Sequence, residues 1–242
     1  MNFAMSFDGF DLPILRFLTR FVGGWPLADH LIQAISRSDI LTGTAMMALV
    51  WFAWFQASAD MDEVRRTDRQ GWILIVSVGG ILTMLLAGLL QYTLTVHRPP
   101  IVAGLGLTFP IDADLGPANS GNSFPSVDAT LFCALSIGLL RLDRRLGTVA
   151  FAWTFIVIEL PQVCLGLLYP SDVLAGAVLG ILCMEIFIRL PVWRPALRIL
   201  AWSRRRPGLF YGLAFLLTEQ LAHPFGDLLQ WAFALLGRFF LR

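Results

Sequence analysis

From Trp72 to Val96 the chain runs 25 residues without a charged side chain. A helix can pair all its backbone N–H and C=O groups within itself, so a run this long and apolar is the signature of a membrane-crossing helix. Further apolar segments cover Ile40 to Ser58, Asp128 to Leu140, Val149 to Leu168 and Val173 to Leu190, and another begins near Leu209. With 57% hydrophobic and 14% charged residues in 242, the expected fold is an all-α integral membrane protein with about six transmembrane helices. Pro161 interrupts the fourth span, and Pro224 and Gly226 interrupt the last.

The first 39 residues read differently. Phe10, Ile14, Phe17, Leu18 and Phe21 share one helical face, with Arg16 and Arg20 off it. Gly23 and Gly24 break that helix, and Leu27, Leu31, Ile32 and Ile35 mark a second short piece. Both are expected to be amphipathic interfacial helices, giving an N-terminal part over 1–39 and a helical bundle over 40–242. No basic region or cleavage site of a signal peptide precedes them.

Cys133, Cys164 and Cys183 lie singly in apolar segments, so neither a disulfide framework nor a zinc site is expected. No metal, cofactor or nucleic acid is implied. Arginines gather in the loops after the first, third and fifth spans (Arg65, Arg66 and Arg69; Arg141, Arg144 and Arg145; Arg194, Arg198 and Arg204 to Arg206). The long loop between spans two and three holds only Arg98. The positive-inside rule then makes the arginine-rich loops cytoplasmic and places residues 97–128 and 168–172 on the opposite side, the periplasm of a bacterial inner membrane. Trp51, Trp54, Trp72, Trp193 and Trp202 flank the arginine-rich side as an aromatic belt does.

On that opposite side three polar stretches sit at helix ends: His97-Arg98-Pro99, Ser123-Phe124-Pro125-Ser126-Val127-Asp128, and Tyr169-Pro170-Ser171-Asp172. Ser126 suits an N-cap, and the free amides of a helix start attract anions. Glu159 lies inside span four, one turn before Gln162 on a similar face; an acid at such depth is a functional candidate. Glu185 and Arg189, four apart, are expected to pair locally.

In order, spacing and flanks these stretches resemble the type 2 phosphatidic acid phosphatase superfamily, and its bacterial undecaprenyl pyrophosphate phosphatase-like branch in particular. The resemblance covers residues 40 to 190 and implies a lipid phosphate site. The first motif is a lysine, six residues, then Arg-Pro; Arg98-Pro99 matches, and Gln91 stands at the lysine. In the second, Pro125-Ser126 matches and Asp128 stands at the histidine. In the third, Asp172 matches, with Gln162 at the arginine and Leu168 at the histidine.

By this resemblance, the third-motif histidine attacks phosphorus, the aspartate orients it, the second-motif histidine protonates the leaving oxygen, and the lysine and arginines hold the phosphate. A nucleophile needs a lone pair, and leucine has none. A general acid needs a proton near neutral pH, and an aspartate has ordinarily lost it. The clamp needs fixed positive charge, which two glutamines lack. Arg98 against Asp128 and Asp172 leaves one positive and two negative charges.

The expectation is a catalytically inactive relative that binds a lipid, a polyprenyl or glycerolipid phosphate, or serves with a membrane protein partner as a transport-associated or scaffolding component of envelope lipid or polysaccharide metabolism. The alternative is an active lipid phosphatase or phosphotransferase with a rearranged site. His97 and Glu159 are auxiliary candidates, and Arg98 is expected to pair with Asp128 or Asp172.

Overall fold

The computed structural model describes residues 8–20, 22, 26–56, 62–94 and 122–222. Ten α-helices follow in order: α1 (Asp8–Thr19), α2 (Pro26–Ser36), α3 (Ala45–Gln56), α4 (Glu63–Thr93), α5 (Val127–Leu142), α6 (Arg144–Trp153), α7 (Leu160–Cys164), α8 (Pro170–Phe187), α9 (Trp193–Arg205) and α10 (Pro207–Ala222). No strand occurs among the described residues.

The bundle is built around α5. Leu131, Phe132, Leu135 and Leu139 on this helix are buried to within 1% of full enclosure, and α4, α6 and α8 pack against it. Small residues let the neighbours come close. A Cβ added to Gly138 would lie 2.5 Å from Val76, and one on Gly80 2.8 Å from Leu135, so α4 and α5 interlock at both points. The α5–α8 crossing is closer still. A Cβ on Gly176 would meet the Ser126 carbonyl oxygen at 2.4 Å, and one on Gly180 the Thr130 carbonyl oxygen at 2.1 Å. Glycines four apart on a membrane helix allow this backbone-to-backbone approach.

Between α6 and α7 the helix widens into a π stretch, Thr154–Glu159. Pro161 has no N–H to return to Val157, and the Leu160 N–H reaches back five residues to the Phe155 carbonyl. The widened turn sets the direction of Glu159 and Gln162. A second π stretch, Ile40–Thr44, leads into α3; the Ser38 hydroxyl accepts from the Leu41 N–H at its start.

Three helical stretches are long and apolar enough to cross a membrane: Glu63–Thr93, Arg144–Cys164 and Pro170–Phe187. Pro26–Ser36 with Ile40–Gln56, bent by 64°, makes a fourth if counted as one span. The sequence expectation of six is not reached among the described residues, because α5 and α10 have only 16 residues each.

Three local expectations are corrected. The phenylalanine face of α1 does not face the bundle: Phe10 and Phe17 are 45% and 57% exposed, while Asp11, Leu15, Thr19 and Val22 turn inward. Helix α4 ends at Thr93, with Leu94 extended, so Gln91 and Arg98 do not share a continuous helical face. Glu185 pairs with Arg141 across helices, at 2.7 and 2.8 Å, instead of with Arg189 one turn away. At the ends of α5 and α8 the two chains lie side by side, so a cross-helix partner is as near as a local one.

Candidate functional site

Ser126 ties the second motif together. It is the N-cap of α5, its hydroxyl accepting the Ala129 N–H at 3.1 Å. Its carbonyl oxygen accepts the Thr130 hydroxyl at 2.6 Å. Its own N–H donates to the Asp172 carbonyl at 3.1 Å, which joins the second motif to the third through the main chain. The preceding Phe124–Pro125 peptide is cis. The Ser126 hydroxyl also faces Glu159, with carboxylate oxygens at 3.4 and 3.5 Å. The expected cap is therefore present, and it makes a second contact to the buried acid of span four.

Gln162 and Asp128 are bonded to each other. The Gln162 amide donates to Asp128 Oδ2 at 2.9 Å. Among the described residues, Asp128 Oδ1 and the buried Ser123 hydroxyl find no hydrogen-bond partner. Glu159 is 2% exposed and lies within electrostatic reach of both Asp128 and Asp172. Asp172 is fully buried in the first turn of α8, where its Oδ2 accepts the Tyr169 N–H at 3.0 Å. Three carboxyl groups thus converge where three helices meet. Negative groups suit the N-termini of α5 and α8, but they also occupy amides that an incoming phosphate would use.

Leu168 has a different setting. It is buried in a small apolar cluster with Leu15, Ala129, Val163, Tyr169 and Val173. The position that the resemblance gives to a nucleophile is here a packing position. Gln91, on the last turn of α4, receives the Asn122 side-chain amide on its carbonyl at 2.7 Å. The same amide reaches the Leu94 carbonyl. Asn122 so fastens the end of α4 to the entry of α5. His97, Arg98 and Pro99 lie outside the described residues, and with them the expected pairing of Arg98.

Two contributors escape the motif pattern. One is Asp11 of α1, 3% exposed, which accepts both the Ser171 N–H at 2.9 Å and the Ser171 hydroxyl at 2.6 Å. It caps α8 from another helix, one residue from Asp172. A lone acid among the apolar residues of an amphipathic helix was the available signal. The other is the Gly176–Gly180 pair, visible as small residues four apart. We expect Asp11→Ala to cost about 1–3 kcal/mol, since it removes a cap and orphans two buried donors. Arg16→Ala on the exposed side of the same helix should stay within about 0.5 kcal/mol. Thermal unfolding of the two purified variants in one detergent checks the difference.

Among the described residues no group of three or more His, Cys, Asp or Glu side chains has a metal-binding arrangement. The acid site and the arginine-rich loops occupy opposite ends of the bundle. Ser126 and Asp172 sit at the N-terminal ends of α5 and α8; Arg141 and Glu185 join their C-terminal ends. Arg65, Arg69, Trp72 and Trp193 border a cleft with Arg141 at that second end.

No protein-family model matches the chain, and no curated protein matches it. Among solved structures, the crystal structure of Aquifex aeolicus LpxE has the same fold, with a TM-score of 0.52 and 19% sequence identity. The match covers 78% of this chain and 99% of that one.

Proposed function

We propose that this chain is a membrane protein with a lipid phosphatase fold that binds a lipid at the acid end of the bundle and does not hydrolyse it by phosphohistidine chemistry. The observation that carries this reading is Leu168, an apolar side chain packed among apolar neighbours where the resemblance puts the attacking histidine. Asp128 and Gln162 support it. They stand at the general-acid and arginine positions and are bonded to each other at 2.9 Å. The bound lipid would be a polyprenyl or glycerolipid phosphate, in a bacterial inner membrane with the site toward the periplasm. The protein would act as a lipid-binding, transport-associated or scaffolding component with a membrane protein partner.

The second reading is an active lipid phosphate or undecaprenyl pyrophosphate phosphatase, or a phosphotransferase, with a rearranged site. The likeness to LpxE favours this reading over the first, because a lipid phosphatase fold is retained over nearly the whole of that chain. In this reading the acids Asp128, Glu159 and Asp172 would supply proton transfer, with His97 as a further candidate.

A turnover assay separates the two. Purified protein is given glycerolipid phosphates and polyprenyl pyrophosphate, and phosphate release is measured against a no-protein control. The expected result is no difference from the control. Release that disappears in Asp128→Ala or Glu159→Ala would establish the second reading.

A further inference from the structure

At the end of the bundle opposite the acid site, a cavity of about 330 Å³ lies between α3, α4, α9 and α10. Its walls include Trp54, Ile73, Ile81, Trp202, Phe210 and Leu217, and no charged side chain lines it among the described residues. The polar groups at its edge already have partners. The Trp51 indole N–H donates to the Thr218 hydroxyl, and the Trp54 indole N–H to the Tyr211 hydroxyl, both at 3.3 Å. These two bonds hold α10 against α3 while the cavity stays between α10 and α4. Its size is at the lower end of ligand sites, and its lining suits hydrocarbon.

The length and the ends of the cavity identify the occupant. Phe210 and Leu221, both on α10, border it. At 1.5 Å per residue they are roughly 16 Å apart, about half of a 30 Å hydrocarbon core, so the cavity is one leaflet deep. Its shallow end is aromatic. Phe210 stacks on Trp54 at 5.6 Å and meets Trp202 edge-on at 6.2 Å, an arrangement suited to the headgroup level of a membrane. Above it, the turn from α9 to α10 carries exposed Arg204, Arg205 and Arg206. Between Glu185 and Glu219 the chain has six arginines and no acid. Arg204 is engaged with Glu63 and Thr67.

We propose that this cavity holds one acyl chain of an anionic phospholipid from the arginine-side leaflet, with the phosphate headgroup on Arg205 and Arg206. The site is independent of the acid end and of any catalysis there. A hydrocarbon chain fills the apolar volume, and the uncompensated arginines select the charge of its headgroup.

The test uses the whole protein in nanodiscs and reads tryptophan fluorescence, because Trp51, Trp54 and Trp202 line the cavity. Acyl-brominated phosphatidylglycerol is compared with acyl-brominated phosphatidylcholine at equal mole fraction. Stronger quenching by the anionic lipid is expected in the wild type. Ala214→Phe, which fills the cavity, should remove the excess quenching. Arg205→Gln with Arg206→Gln leaves the cavity untouched and should lower the anionic preference roughly tenfold. Equal quenching by the two lipids in the wild type overturns the proposal. So does an anionic preference that survives the arginine double variant, or one unchanged by Ala214→Phe in a protein that still elutes as a single species.

Discussion

Gly180→Leu should remove the folded bundle from solution more effectively than any other single substitution outside α5. A Cβ at this position would stand 2.1 Å from the Thr130 carbonyl oxygen, and the obstructing atom is main chain, which cannot rotate aside. Helix α8 must move away from α5, and with it goes the Ser126–Asp172 main-chain bond that joins two of the three motifs. Overpacking of this severity costs at least about 3 kcal/mol. For a chain of this size that corresponds to a fall of roughly 6–12 °C in apparent melting temperature. Gly208→Leu and Gly212→Leu are the matched controls, since nothing lies within 4 Å of a Cβ at either site. Size-exclusion profiles after a heat ramp in detergent compare the three. Equal thermal loss in Gly180→Leu and Gly212→Leu would mean that the α5–α8 crossing is looser than its geometry implies.

The helical membrane class was legible because it rests on long apolar runs, and no local detail can undo a run like Trp72 to Val96. The cap at Ser126 and the first-turn positions of Asp128 and Asp172 were legible too, since helix starts depend on a few adjacent residues. What failed depended on neighbours distant in sequence. The inward face of α1 is set by Ser171, 160 residues away, whose two donors require Asp11; the phenylalanines that define the apolar face have no such partner. The end of α4 at Thr93 is fixed partly by the Asn122 amide, which takes the Gln91 and Leu94 carbonyls out of the helical ladder. Arg141 and Glu185 meet because α5 and α8 run side by side, which no i, i+4 rule anticipates. The direction of Glu159 and Gln162 was half legible. Their spacing put them on one face, and the π turn before Pro161 is consistent with that face meeting α5.

Gln162 is where charge balance at the acid end can be measured. Its amide gives Asp128 the hydrogen bond to Oδ2, while Oδ1 has none among the described residues. Gln162→Leu keeps most of the side-chain volume and removes the donor, so a carboxyl group is left without a partner beside Glu159 and Asp172. The expected cost is about 1–3 kcal/mol, the usual penalty for an orphaned buried polar group. Gln162→Arg should act in the opposite direction. It keeps a donor within reach of Asp128 and adds a positive charge among three carboxyl groups, and an acid cluster gains more from a cation than from a neutral amide. Melting temperatures should therefore rank Gln162→Arg at or above the wild type and Gln162→Leu well below it. The comparison also bears on Arg98. If Gln162→Arg destabilises as much as Gln162→Leu does, the carboxyl groups already have a cation from another segment, and a second one is repelled. Arg98 then becomes the residue to replace next, and Arg98→Gln in the Gln162→Arg background should restore the lost stability.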